Sequence, residues 1–577
     1  MTDRFCGWTS GSIVGGRATG FGLLLLAAYA LCVATSAQTL TGSATVEVDA
    51  AALIERIDAQ DARLDEAERE RDALRLAVES LAQAAPGPVP TPPTDTTNAK
   101  PPPSDPAAPL AVATGFTVFA PSPDGRTVYV SAEGNDRNHG FTPDAPVRTA
   151  RAGYQKLRDG RPDRLLFRAG DQFEGNLGAL KKSGRSAAQP MVIGVYENAE
   201  LPNAPRPVLL SPGGTWAKND FRDTADHVAF VGLHFVAVNR DPNRPGFNAA
   251  ALTSDQWNAS AITYLGDAQN ITVEDCKFEY FKFAMVFQSN PQNGFATDIK
   301  LHRNLVLNSY GHWDKKVAGH SSGIYAAYVD GLTITDNLWD HNGWHPEVPG
   351  AKRTKFNHNL YLQDNCTFAT DVRGNLITRA SAHGLQLRSG GNITNNLFVQ
   401  NPLGFFTGKF PSVVKDNVVL QSIDLGSGDG EARGHGIEIL PCLKATVEDN
   451  ILSQKNGTLP NAYAIQFSWE KNYVEWLNGR AATGTLKNNK VYRWPRRGGG
   501  ETVAVKFGQI EQAGNVIDGD FPDPDRDMAS YLVTLGVPPE AASLESFLDK
   551  ARVRPRGVWW PAYSATAVND YIREGFE

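Results

Sequence analysis

An asparagine stands just before a short apolar pair again and again through the second half of the chain. The series is Asn304-Leu, Asn337-Leu, Asn375-Leu, Asn396-Leu, Asn417-Val, Asn450-Ile and, slightly offset, Asn489 before Val491. The spacings are 33, 38, 21, 21, 33 and 39 residues. The shortest equals one coil of a β-solenoid, and the longer ones fit a coil that carries a loop insertion. At each sharp turn between strands, a stacked asparagine satisfies backbone groups while hydrogen-bonding the asparagines above and below it. The strands then pair in parallel from coil to coil, inward positions are apolar, and the core is continuous. A β-sandwich would not produce such a column. The pattern predicts an all-β chain wound as a parallel β-helix.

Length and composition agree with that reading. At 577 residues the chain exceeds one ordinary globular core, so a long repeat domain or several domains are expected. Its 54 glycines suit turn-rich β structure better than helical bundles. A formal charge of −7 argues against a nucleic-acid binder, which carries a basic surface. Cys6 and Cys32 lie in or before an apolar segment. Cys276, Cys366 and Cys442 show no metal-binding spacing and read as small buried core residues.

Upstream of the repeats the chain changes character three times. Arg4 and Arg17 precede the apolar run Phe21 to Ala34, and small residues follow, so residues 1–37 read as a signal peptide or an uncleaved membrane anchor. Either way the rest of the chain is expected outside the cytoplasm, whether secreted, periplasmic or at the cell surface. Residues 51–84 place Leu53, Ile57, Leu64, Ala67, Leu74, Val78 and Leu81 on a heptad seam, which Gln60 and Arg71 weaken. This reads as a short coiled coil able to join copies of the chain into a homo-oligomer, or as a charged helical spacer. Residues 85–110 hold ten prolines and read as a disordered, semi-rigid linker.

From Thr127 the sequence alternates and then turns, in Tyr129-Val-Ser-Ala-Glu-Gly-Asn-Asp. A helical stretch from Arg148 follows, then Arg164-Leu-Leu-Phe-Arg-Ala-Gly-Asp. This segment resembles the N-terminal cap of secreted right-handed β-helix proteins, including polysaccharide lyases of the chondroitinase B and alginate lyase type. The resemblance implies a right-handed, pectate-lyase-like solenoid over residues 127–518, with visible coils from about Ile262. Residues 519–577 have helical period and are expected to cover the open end or the flank of the solenoid.

Aligning the strand that opens each coil gives an outward file by period two: Thr263, Val286, Tyr325, Tyr361, Gln386, Phe406, Glu438 and Gln466. Two positions further on, Gln363 and Arg388 also point out. Neighbouring coils lie about 4.8 Å apart, so Tyr325, Tyr361, Gln363, Gln386 and Arg388 are expected to form one patch. His358, His383 and His435 precede their strands at a matched position, and His320 stands before Ser321-Ser-Gly-Ile-Tyr. Long basic loops carry His312, Asp314, Lys315 and Lys316, and His341, His345, Lys352, Arg353 and Lys355.

Such a set suits β-elimination from a uronic acid, or its epimerisation. Both begin with loss of the C5 proton once the carboxylate charge is offset, a task for Arg388 or a loop lysine. His358 or His383 would take the proton, and Tyr361 or Tyr325 would protonate the leaving oxygen. The resemblance points the same way, although neither its lysine–arginine pair nor the Asp-Pro-His motif of alginate epimerases is matched. His358, His383, Tyr361 and Arg388 are thus the candidate catalytic residues. His320, Tyr325, Gln363, Gln386, Lys355 and Glu438 are the candidate substrate contacts, and an acidic polysaccharide is the expected partner. A hydrolase would need paired acids, and outward acids are sparse. A non-catalytic glycan-binding surface protein on a stalk is the other alternative. The residues themselves identify no cofactor; calcium is an option carried by the resemblance, with the turn acids Asp424, Asp429 and Glu431 as its ligands or simply as a solvated loop, since no calcium-binding repeat is present.

Overall fold

The computed structural model describes residues 115–577 except 223–224, 313–318, 424, 426–433, 455–461 and 496–500. The signal, coiled coil and linker read at 1–37, 51–84 and 85–110 therefore lie outside the described residues. So do Asp314, Lys315, Lys316 and the turn acids Asp424, Asp429 and Glu431.

The asparagine column forms at a two-residue turn. The residue before each ladder asparagine sits in the left-handed region, for instance Asp336 at φ 58°, Gly374 at 67°, Asn395 at 52° and Asp416 at 59°. Asn, Asp and Gly are the residues that adopt this conformation at least cost. The next amide then points along the column. Asn375 donates through Nδ2 to Ile334 O at 2.8 Å and to Asn396 Oδ1 at 3.0 Å. Its own Oδ1 accepts from the backbone N–H and the side chain of Asn337 at 3.0 and 2.9 Å. Each buried amide is saturated by its neighbours, and the column ends one step beyond the sequence pattern, where Asn515 Oδ1 accepts from Asn489 N at 3.0 Å.

Between these turns the chain lays down a 13-stranded, a 12-stranded and an 11-stranded sheet, each strand pairing with those one coil below and above. The pairing is parallel throughout the coils, and the fold is a right-handed parallel β-helix. Apolar residues of all three sheets meet inside, with Phe235 stacked on Phe278 at 4.9 Å and Tyr264 on Phe287 at 5.9 Å. Each such side chain contributes roughly 1.5–3 kcal/mol by leaving water. Cys276, Cys366 and Cys442 are free and buried here, and burial pushes each thiol up to about 12.

Stacking begins well before Ile262. Strand Thr127–Val130 already pairs with Arg164–Arg168, Val128 opposite Leu165, and the helix Ala150–Gln155 caps this end. The early coils carry no ladder asparagine, which is why the repeat is silent there. At the other end the helices Met528–Thr534, Leu544–Arg552 and Ala565–Glu574 take the flank, not the end. Leu532, Phe547, Val568 and Ile572 pack on Leu307, Leu376 and Leu397, the outer face of the 12-stranded sheet. Arg552 pins them, its Nε 2.6 Å from Asp340, which also binds Arg379 and Thr378. Burial acts to raise the Asp340 carboxyl, but Arg552 and Arg379 outweigh it and hold it at about 2.

Candidate functional site

The 11-stranded sheet carries the outward file, and its register places all eight positions in one line. Thr263 stands beside Val286, then Tyr325, Tyr361, Gln386, Phe406, Glu438 and Gln466 follow coil by coil. Gln363 and Arg388 follow the ends of their strands, where their N–H groups bond Ala326 O and Leu362 O at 2.9 and 3.1 Å. A second file runs alongside, because the strands bend one residue after the histidines. After His383 the position requires glycine, since a Cβ on Gly384 would lie 2.5 Å from Gly404 O and one on Gly404 would lie 2.4 Å from Gly436 O. After His358 it is held by Asn359, which donates to Thr378 O. The bend leaves His358 and His383 on the same face as the first file. Their rings meet those of Tyr361 and Phe406 at 5.0 and 5.2 Å.

At the centre His358 Nδ1 and His383 Nδ1 share a hydrogen bond of 3.0 Å. Both residues are buried, 2% and 5% exposed, so they line the floor of the face. Tyr361 packs against Tyr325 at 5.5 Å and accepts a bond from Gln363 Nε2 at 3.0 Å. The Arg388 guanidinium lies 5.6 Å from the Tyr361 ring centroid. Burial raises the Tyr325 phenol, partly offset by a hydrogen bond to Gln363, so it remains a donor. The structure therefore brings together His358, His383, Tyr325, Tyr361, Gln363, Gln386 and Arg388.

The remaining sequence candidates sit at the margins. His320 and Lys355 gather around Phe356, at 5.8 and 5.5 Å. Glu438 lies three coils downstream of Tyr361 in register and accepts a bond from Gln466 at 3.0 Å. His435 stacks on Tyr463 at that same end, at 5.9 Å.

Sequence reasoning missed three residues. Lys409 Nζ reaches Asp364 at 2.6 Å, and a register shift between Thr407 and Lys409 displaces it from the regular alternation. Lys282 enters upstream through Phe283, which leans on Tyr325 at 6.2 Å; burial, aided by the Arg240 charge, pulls its ammonium down to about 8. Tyr473 arrives on the helix Lys471–Leu477, which packs on strands Leu403–Lys409 and His435–Cys442. Lys409 had a faint signal, a lysine just past an outward position. Tyr473 had none.

Among the described residues no three His, Cys, Asp or Glu side chains group as metal ligands, and no helix is long and apolar enough to cross a membrane. Residues 256–419 match the family model of the right handed beta helix region. That stretch is a β-helix by sequence as well as by structure. It contains the histidine pair, both tyrosines and Arg388. Similar solved structures include an alginate lyase from Paenibacillus sp. str. FPU-7, at 14% identity, covering 68% of this chain and 99% of that one with a TM-score of 0.36. A lacto-N-biosidase from Eubacterium ramulus is 13% identical, over 67% of this chain and 68% of that one, with a TM-score of 0.36. The periplasmic alginate epimerase AlgG is 12% identical, over 62% of this chain and 78% of that one, with a TM-score of 0.34. No curated protein matches the sequence. Likeness at this level concerns the winding of the chain and leaves its chemistry to its own side chains.

On this β-helix the chemistry available is proton transfer beside fixed positive charge. Two imidazoles share a hydrogen, phenols stand within ring contact, and a guanidinium sits one coil away.

Proposed function

We propose that the chain is a polysaccharide-active enzyme, and that it cleaves a uronate-containing polysaccharide by β-elimination. The observation that carries this reading is the His358–His383 hydrogen bond, set beside Tyr361 and Arg388 on one sheet face. A neutral imidazole that donates its Nδ1–H to its neighbour holds a lone pair on Nε2. That nitrogen takes the C5 proton of the uronate. The C5–H electrons form the C4–C5 double bond, the C4–O bond breaks, and the leaving oxygen takes the hydroxyl proton of Tyr361. Arg388 offsets the carboxylate charge that otherwise opposes loss of the proton.

Among the described residues, the outward acids named as candidates for hydrolysis do not sit together. Asp364 and Glu438 belong to coils three steps apart, about 14 Å along the axis, beyond the separation that serves one glycosidic bond. The exposed indole of Trp469, at the downstream end, offers a flat face to a sugar ring. The export reading of residues 1–37 would bring the enzyme to such polymers outside the cytoplasm.

The test is to incubate the purified chain with a panel of polyuronates and follow the absorbance of the unsaturated product. A rise on one of them, lost in His383→Gln, supports β-elimination. Inversion of C5 without absorbance would replace it by epimerisation, and no change on any polymer would sink the enzymatic reading.

A further inference from the structure

Around Arg388 on the site face, Gln386 Oε1, Arg388 Nε and the Tyr473 hydroxyl are out of solvent and have no hydrogen-bond partner among the described residues, as Gln466 Oε1 has none further down the file. Gln386 and Tyr473 are only 5% and 7% exposed. Leaving such groups unpaired is costly, and native proteins retain few without a use for them.

The three atoms belong to one place. Gln386 lies in the strand His383–Leu387 and Arg388 directly follows it, two residues on, so both stand on the outer face. The Tyr473 ring packs with Leu403, Phe406 and Leu440. Phe406 is the register neighbour of Gln386, and its ring lies 6.0 Å from the Arg388 guanidinium. A Cβ on Gly408 would stand 2.8 Å from the Tyr473 ring, so the glycine leaves room for that ring. Burial raises the Tyr473 phenol, against the opposing pull of Arg388, and keeps it an O–H donor. Lys409 neutralises Asp364 nearby at 2.6 Å, which spares an incoming anion its repulsion.

The free valences are therefore two donors, one of them cationic, and one acceptor. A sugar ring that presents a carboxylate together with a hydroxyl complements all three. We propose that Gln386, Arg388 and Tyr473 form a subsite for a uronate unit, with Tyr473 the residue that selects acidic over neutral sugars. This rests on the reading of the chain as active on polyuronates.

Tyr473→Phe tests it directly. The hydroxyl has no hydrogen-bond partner among the described residues, so its removal is expected to leave the melting temperature unchanged or raised. Binding is measured by calorimetry with galacturonate and alginate oligosaccharides and with their methyl esters. For the oligosaccharide that the wild-type chain binds, the variant is expected to lose affinity for the free acid about tenfold. Its affinity for the ester should change less than about twofold. Arg388→Met should lose the acid preference in the same way. Full acid affinity in a folded Tyr473→Phe, or equal losses on acid and ester, would overturn the subsite and leave the enzymatic reading standing. A wild-type chain that binds none of the acids overturns that reading and the subsite with it.

Discussion

The imidazoles of His358 and His383 face each other through their Nδ1 atoms at 3.0 Å, on adjoining coils whose backbones pair at these same residues. Between two neutral rings, one Nδ1 must carry the hydrogen and the other must accept it, so the tautomers are opposed. A single added proton leaves that bond intact. In the proposed elimination this pair acts as the base at C5.

If the proposed elimination holds, His358→Gln and His383→Gln are each expected to lower its initial rate on a cleaved polyuronate by about 10²–10⁴-fold. The double variant should be no slower than the worse single one, because the two rings act as one unit. Rate losses that multiply would show that they act separately.

Asn375 accepts and donates within the ladder and is fully buried. Asn375→Ala orphans the N–H of Asn337 and the carbonyl of Ile334, and should cost about 3 kcal/mol in denaturant unfolding. A loss below about 0.5 kcal/mol, the range of an ordinary surface change, would deny the ladder its structural weight.

Asp340 is held at about 2 by Arg552 and Arg379 despite its burial. Its folded value lies below the unfolded one, so its contribution is complete above the usual carboxylate range. The contribution is lost as pH falls from about 4 through about 2, and amounts to on the order of 2 kcal/mol. Tail docking, followed by Trp559 and Trp560 fluorescence, should weaken over that window. In Asp340→Asn it should be weak already at neutral pH, with a flat acid profile.

Gly408→Ala would place a methyl group 2.8 Å from both the Tyr473 ring and Leu440 Cβ. A destabilisation of about 1–3 kcal/mol is expected, from overpacking. Because the ring is displaced, the loss of acid binding should follow that of Tyr473→Phe, while stability falls only in the glycine variant. Intact binding with lowered stability would place the Tyr473 hydroxyl outside the subsite.

The coils and their outward file are legible in the sequence because each signal is local and repeated. A left-handed residue before an asparagine, then alternating strand residues, recurs in every coil that carries the ladder, and parallel stacking copies a local position into a line. Tyr325, Tyr361 and Gln386 align by period and spacing alone. The nine N-terminal strands, from Thr127 to Ala237, do not, because the asparagine is missing from their turns. Lys409 escapes the pattern because a register shift breaks the count.

The sequence by itself determined the winding, the inward and outward faces, and the neighbours along each file. Those depend on backbone preference and period, which act over a few residues. Only the tertiary structure decided that the two histidines are buried and bonded to each other, that the tail lies along the flank, and that Tyr473 packs on Phe406, the ring that also neighbours Arg388. Each of these follows from how insertions and bends dock against the coils, and docking depends on contacts between residues far apart in the chain.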